Sequence, residues 1–309
     1  MTRAKVIRVV VCAGGLGTRI AGWAQYIPKE FYPADGRPGI VHLLEEISAL
    51  GPAEVVIVCH PYYNAFTTWA RTALSPDGHD SYQRAARLPA MASPTDGLMI
   101  SFITQHGPYA DITSVLNGAS YLAWPEDLHV AFADNIYRGP NPLLALQAAP
   151  PNCPAVLARA YRPDLAASRG VIATRSQDGQ LLMIDLTEKP APHAARALER
   201  RYGTANLRLL EGRARLTARF ISFARSHRAP AGTEPKLALA LAAYARTHPV
   251  FVTNTSAQVI DLGTRQAAGQ RAAPDNSGTE GLQCGPDCPR STRHPATLPR
   301  HGTPASACT

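Results

Sequence analysis

Lysine is the residue this chain nearly lacks. Of its 31 basic residues only four are lysine (Lys5, Lys29, Lys189 and Lys236), and the other 27 are arginine. Where arginine fills the ordinary surface roles, each lysine is marked for a particular task. An ammonium is a compact point charge that reaches a single phosphate oxygen. Long apolar runs are missing too. No stretch of 18 apolar residues occurs, so no membrane-spanning helix is expected. The apolar run Val6–Ala13 behind the short basic start is too brief for a secretory signal, which makes the cytoplasm the expected location.

Basic blocks and metal-ligand clusters are absent as well. The net charge is +8, but no five basic residues stand together. General basicity is therefore the reading, and neither nucleic acid nor membrane is an expected partner. Of the six cysteines, Cys12 and Cys59 lie inside apolar runs and read as small core residues. Cys284-Gly-Pro-Asp-Cys288 lacks the second pair that a zinc site needs. The histidines are dispersed, and no repeat of solenoid length is visible.

What is present is an alternation of apolar strands and helical patterns. Val6–Ala13, Glu54–Cys59, Leu98–Thr104 and His129–Ala133 read as buried strands. Pro38–Leu50, with Ile40, Leu43, Leu44 and Ile47 on one face, and Thr113–Ala123 read as helices. This rhythm predicts an α/β fold, Rossmann-like, with a mostly parallel twisted sheet and helices on both faces. Further on, Ala155–Ala160, Gly170–Thr174, Leu181–Leu186, Val250–Thr253 and Gln258–Leu262 read as strands, with helices at His193–Tyr202 and Glu234–Thr247. Ala214–Phe223 fits either a strand or a helix. After Thr264 the composition turns to Pro, Gly, Ser, Thr and Arg with almost no large aliphatic residue. That composition predicts a catalytic domain over 1–264 and a disordered C-terminal tail over 265–309.

Directly after the first strand comes Ala13-Gly14-Gly15-Leu16-Gly17-Thr18-Arg19. Three glycines in four residues let the backbone approach an anion closely and offer amides to phosphate oxygens. A dinucleotide-binding loop would want a glycine where Ile20 stands, and a P-loop would want Gly-Lys-Ser/Thr. Nine residues separate Arg19 from Lys29, in Ile27-Pro28-Lys29-Glu30-Phe31-Tyr32-Pro33.

The glycine loop ending in Gly-Thr-Arg, followed at this distance by Pro-Lys-Glu and a further Pro, resembles the sugar-1-phosphate nucleotidyltransferases. These include the glucose-1-phosphate uridylyl- and thymidylyltransferases. Arg37-Pro38 and Glu45-Glu46 continue the likeness. Gln105 with Gly107-Pro108-Tyr109 follows, then Phe132-Ala133-Asp134-Asn135, Arg169-Gly170-Val171-Ile172, Thr187-Glu188-Lys189-Pro190 and Ile260-Asp261-Leu262-Gly263-Thr264, all in family order.

The resemblance implies condensation of a nucleoside triphosphate, UTP or dTTP, with a sugar-1-phosphate such as glucose-1-phosphate, using Mg²⁺. It places Gly14, Gly15, Gly17, Gln105 and Gly107 at the nucleotide, Arg19 and Lys29 at the reacting phosphates, and Gly170, Glu188 and Lys189 at the sugar phosphate. Asp134 and Asp261 become the metal ligands. Ala110-Asp111-Ile112-Thr113-Ser114 replaces the base-binding Leu-Gly-x-Ala of the uridylyl enzymes. That leaves another base, a guanylyl donor or a cyclitol phosphate open, and oligomer formation open as well. A catalytically silent nucleotide-sugar sensor would have lost an aspartate or a lysine of the set, and none is lost.

Overall fold

The computed structural model describes residues 6–88, 93–227 and 234–263. The tail expected over 265–309, and Thr264, lie outside the described residues. The strands are β1 (Ile7–Ala13), β2 (Pro33–Ala34), β3 (Arg37–Pro38), β4 (Ala53–Cys59), β5 (Leu98–Thr104), β6 (Asp127–Phe132), β7 (Asn135–Arg138), β8 (Ala155–Ala160), β9 (Gly170–Gln177), β10 (Gln180–Glu188), β11 (Leu207–Thr217), β12 (Phe251–Asn254) and β13 (Gln258–Asp261). The helices are α1 (Ala21–Ala24), α2 (Gly39–Ser48), α3 (Asn64–Ala73), α4 (Pro76–Ala86), α5 (Asp111–Tyr121), α6 (Pro142–Leu146), α7 (Pro192–Tyr202), α8 (Ala218–Ser226) and α9 (Leu237–Ala245).

Nine strands form one sheet in the order β5-β4-β1-β6-β11-β8-β12-β10-β9. The first four are parallel neighbours. From β11 onward the pairings are antiparallel, except for β12 on β8. The start of β11 also pairs with β9, Leu207 opposite Ala173 and Leu209 opposite Val171. The last five strands thus close on themselves. The expectation of a mostly parallel sheet holds for the half made of β5, β4, β1 and β6 and is corrected for the rest. One tight turn joins β9 to β10, and such a turn can connect only antiparallel strands; β11 lies antiparallel to β6, β8 and β9 through longer connections.

Along β1 the side chains alternate between two cores. Val9, Val11 and Ala13 pack under α2, with Ile40, Leu43, Leu44 and Ile47 all buried. Val10 and Cys12 face the opposite core, with Ile112, Val115 and Ala119 of α5 and Phe220 and Ile221 of α8. Helices therefore cover both faces, and a strand buried on both sides must be apolar throughout. Each such aliphatic side chain contributes about 1.5–3 kcal/mol on burial. Cys12 and Cys59 are buried free thiols, as read. The ambiguous stretch Ala214–Phe223 is both things, since β11 ends at Thr217 and α8 begins at Ala218. The Thr217 side chain accepts from the amide of Phe220 and so marks the switch. No helix among the described residues is long and apolar enough to cross a membrane.

Candidate active site

The motif residues gather at the carboxyl ends of β1, β5 and β6, where ligands sit in open α/β sheets. Gly14–Gly17 leave β1, and Gly17 has φ +60°, a left-handed conformation that favours glycine. A Cβ on Gly15 would come within 2.9 Å of Lys29 Cε, so a larger residue there would push the end of the lysine away from the loop. The amide of Leu16 donates to the Tyr109 hydroxyl at 3.2 Å, which ties the loop to the segment after β5. Gly107, at φ +103°, forms the turn in that segment.

Gln105 is buried against Gly14, but its amide is already engaged. Nε2 donates to the carbonyls of Pro108 and Ala110, and Oε1 accepts from Ser114 Oγ at 2.7 Å. It shapes the wall of the cleft it was expected to line.

Lys29 is buried, being only 8% exposed. Its Nζ lies 2.8 Å from Glu30 Oε1 and 2.6 Å from Asp134 Oδ2. Burial works against the ammonium, but the two carboxylates outweigh it and hold Lys29 well above its ordinary value. Glu30 is fully buried. Burial pushes its carboxyl upward, and Lys29 works in the other direction. Asp134 is also burdened by burial, yet Lys29 brings its carboxyl below the ordinary value.

Asp134 and Asp261 meet through backbone pairing. β13 runs antiparallel to β7 with Asp261 opposite Asn135, and the amide of Leu262 donates to the Asp134 carbonyl at 2.8 Å. A Cβ on Gly263 would lie 3.1 Å from Asp261 Oδ1, 3.3 Å from Arg19 Nη2 and 3.8 Å from Asp134 Oδ2. Two carboxylates and a guanidinium therefore converge on space that glycine keeps open. No group of three or more His, Cys, Asp or Glu side chains that could hold a metal occurs among the described residues. Two hard carboxylates facing one open space nonetheless fit magnesium, which takes one or two protein carboxylates together with other oxygens and water.

On the far side of the cleft, Gly170 stands opposite Glu188 in the β9–β10 ladder. Lys189 has φ +46°, rare for a residue with a Cβ, and its amide donates to the Arg169 carbonyl. Lys189 and Glu188 line the cavity with Gly170, Arg169 and Asp111.

Three further residues stand at the site to which the sequence reading gave no site role. Arg213 is fully buried on β11 and forks onto Glu46 at 2.8 and 2.9 Å. It also donates to the carbonyls of Phe132 and Asn135, so it braces both sides of the Asp134 turn. Arg169 reaches toward Glu211 at 3.6 Å and Asp261 at 3.9 Å. Lys236 approaches Glu188 at 3.5 Å. The scarcity of lysine was the available signal for Lys236. Nothing in the local sequence distinguishes Arg213 among 27 arginines.

No protein-family model matches the chain. A UTP–glucose-1-phosphate uridylyltransferase of Mycoplasma pneumoniae is 23% identical over 206 residues, 62% of this chain and 68% of that protein. The UTP–glucose-1-phosphate uridylyltransferase YngB of Bacillus subtilis is 24% identical over 268 residues, 85% and 87% of the two chains. A UDP-glucose pyrophosphorylase crystallised with UDP-glucose has the same fold, with a TM-score of 0.67 over 85% of this chain and 96% of that one, at 19% identity.

Proposed function

We propose that this chain, which belongs to the sugar-1-phosphate nucleotidyltransferases, condenses UTP or dTTP with glucose-1-phosphate. Pyrophosphate leaves and an NDP-sugar forms. The observation that carries the reading is the convergence of Lys29, Asp134, Asp261 and Arg19 beside the glycine loop.

A phosphate monoester is already a nucleophile at neutral pH, so the site needs no activated Ser, Cys or His. The task is to bring two polyanions together and stabilise charge at an in-line phosphoryl centre. The amides of Gly14, Gly15 and Gly17 and the guanidinium of Arg19 hold the triphosphate, and Arg19 favours the departing pyrophosphate. Lys29 faces the α-phosphate. A phosphate oxygen there competes with Asp134 for the ammonium, while buried Glu30 keeps its share. Lys189 binds the sugar phosphate, Glu188 accepts from sugar hydroxyls beside Gly170, and Gln105 and Gly107 form the base end. Magnesium bound to Asp134 and Asp261 supplies charge neutralisation at the phosphates.

The test crosses each NTP with several sugar-1-phosphates in the presence of Mg²⁺ and follows pyrophosphate. Turnover with UTP or dTTP and glucose-1-phosphate is expected. Folded protein that releases pyrophosphate from no pair would contradict the reading.

A further inference from the structure

Lys236 is the third lysine at the cleft, and no role above uses it. It stands immediately before α9, with Nζ 3.5 Å from Glu188 Oε1 and 3.8 Å from Glu234 Oε2. Lys189 reaches the same Glu188 oxygen from 3.9 Å, but its side chain is 54% exposed against 23% for Lys236. The better shielded of the two lysines is therefore the one without a role. The other oxygen of Glu188, Oε2, faces Gly170, where an added Cβ would lie 3.2 Å away.

The position of Lys236 is fixed from the opposite wall. The amide of its neighbour Leu237 donates to Asp111 Oδ1 at 2.8 Å, across 126 positions of sequence. Asp111 opens α5 and borders both the cleft of Gly14 and Lys29 and the cavity of Gly170 and Glu188. A carboxylate on the first turn of one helix thus clips the first amide of another.

We propose that Lys236 is a positioning residue for the sugar side of the reaction. It holds Oε1 of Glu188 and so keeps Oε2 turned toward Gly170, and Asp111 sets where Lys236 stands. The inference rests on the proposed reaction. A shielded ammonium beside one oxygen fixes the orientation of the carboxylate. An exposed pair would contribute little. The choice of lysine also follows from geometry. A guanidinium fork binds both oxygens of a carboxylate, which would cover the oxygen meant for the sugar, whereas an ammonium binds one.

The experiment measures KM for both substrates, with melting curves, in Lys236→Met and Asp111→Ala. In each variant, KM for the sugar phosphate should rise about tenfold while KM for the NTP stays within about twofold. If Asp111→Ala does not fold, Lys236→Met decides alone, because its side chain reaches solvent. A sugar-phosphate KM unchanged in Lys236→Met, or an equal rise in both KM values, would overturn the inference and leave the proposed reaction standing. Absence of turnover in the parent chain with every substrate pair would overturn the reaction and this inference together.

Discussion

The ammonium of Lys29 lies 2.6 Å from Oδ2 of Asp134, a carboxylate 105 positions further along the chain. Lys29 is also the ion-pair partner of Glu30, whose side chain has no solvent exposure. One lysine therefore serves two purposes: in the proposed reaction it stands at the α-phosphate, and it compensates a charge buried in the core.

Substitution of Lys29 should accordingly damage both rate and fold. Lys29→Ala leaves Glu30 buried without its cation, which costs about 3–5 kcal/mol of stability. Adding Glu30→Gln to Lys29→Ala should recover most of the melting temperature but none of the activity. Lys29→Arg keeps the charge but widens the head group, and should lose about a hundredfold or more in kcat/KM. Paired melting curves and kinetics on the three variants separate the effects. A melting temperature unchanged in Lys29→Ala would show that Glu30 does not depend on Lys29.

Asp134→Asn and Asp261→Asn should each raise the magnesium concentration needed for half-maximal rate and cut turnover about a hundredfold. A magnesium titration of each variant checks this. Unchanged metal dependence in both would remove the two carboxylates from the metal site.

Burial raises the Asp111 carboxyl from an ordinary 3.8 to about 6, against the opposing hydrogen bonds from the Leu237 and Ile112 amides. The native state therefore holds this proton where the unfolded chain releases it. Between pH 3.8 and about 6 the folded form binds more protons, so stability from this group falls as pH rises and levels off above pH 6. Asp111→Asn keeps an acceptor for Leu237 and should be the more stable protein at pH 7–8 by about 2–3 kcal/mol. The advantage should vanish near pH 4. Denaturant titrations at both pH values read the difference. A variant less stable than the parent at neutral pH would contradict this.

Arg213 and Glu46 form a buried pair that holds both ends of the Asp134 turn. Removing one partner leaves the other uncompensated, so Arg213→Met or Glu46→Leu alone should each cost about 3–5 kcal/mol, a fall of roughly 10 °C in Tm. The double substitution should recover part of that loss. A double-mutant cycle by thermal melting supplies the coupling energy.

Much of this was legible in the sequence because the parallel half is built from local patterns. Val9–Ala13 and Val55–Cys59 are apolar throughout because both their faces are covered, and the Ile40 to Ile47 stripe of α2 covers one of those faces. The glycine loop and Lys29 were readable for the same reason, since their relation is one of spacing. The closed half was harder. β11 carries Arg208, Glu211, Arg213 and Arg215, charges that mask a strand until their partners from Glu46, Asp127 and Arg159 are in place. The mixed sheet follows from pairings such as Leu207 with Ala173, which no local pattern announces. Helices α3 and α4 left a weak signal, because over Asn64–Ala86 only Ala70 and Gln83 are buried. The burial of Lys29 depends on Asp134, and a contact across 105 residues has no local signature.

The most direct test runs the reaction backwards. Parent protein, UDP-glucose, pyrophosphate and Mg²⁺ are followed by phosphorus NMR. We expect resonances of UTP and glucose-1-phosphate to grow together at equal rates, and to stop on chelation of the metal. Hydrolysis to UMP, or an unchanged spectrum from protein that binds UDP-glucose, would contradict nucleotidyl transfer at this site.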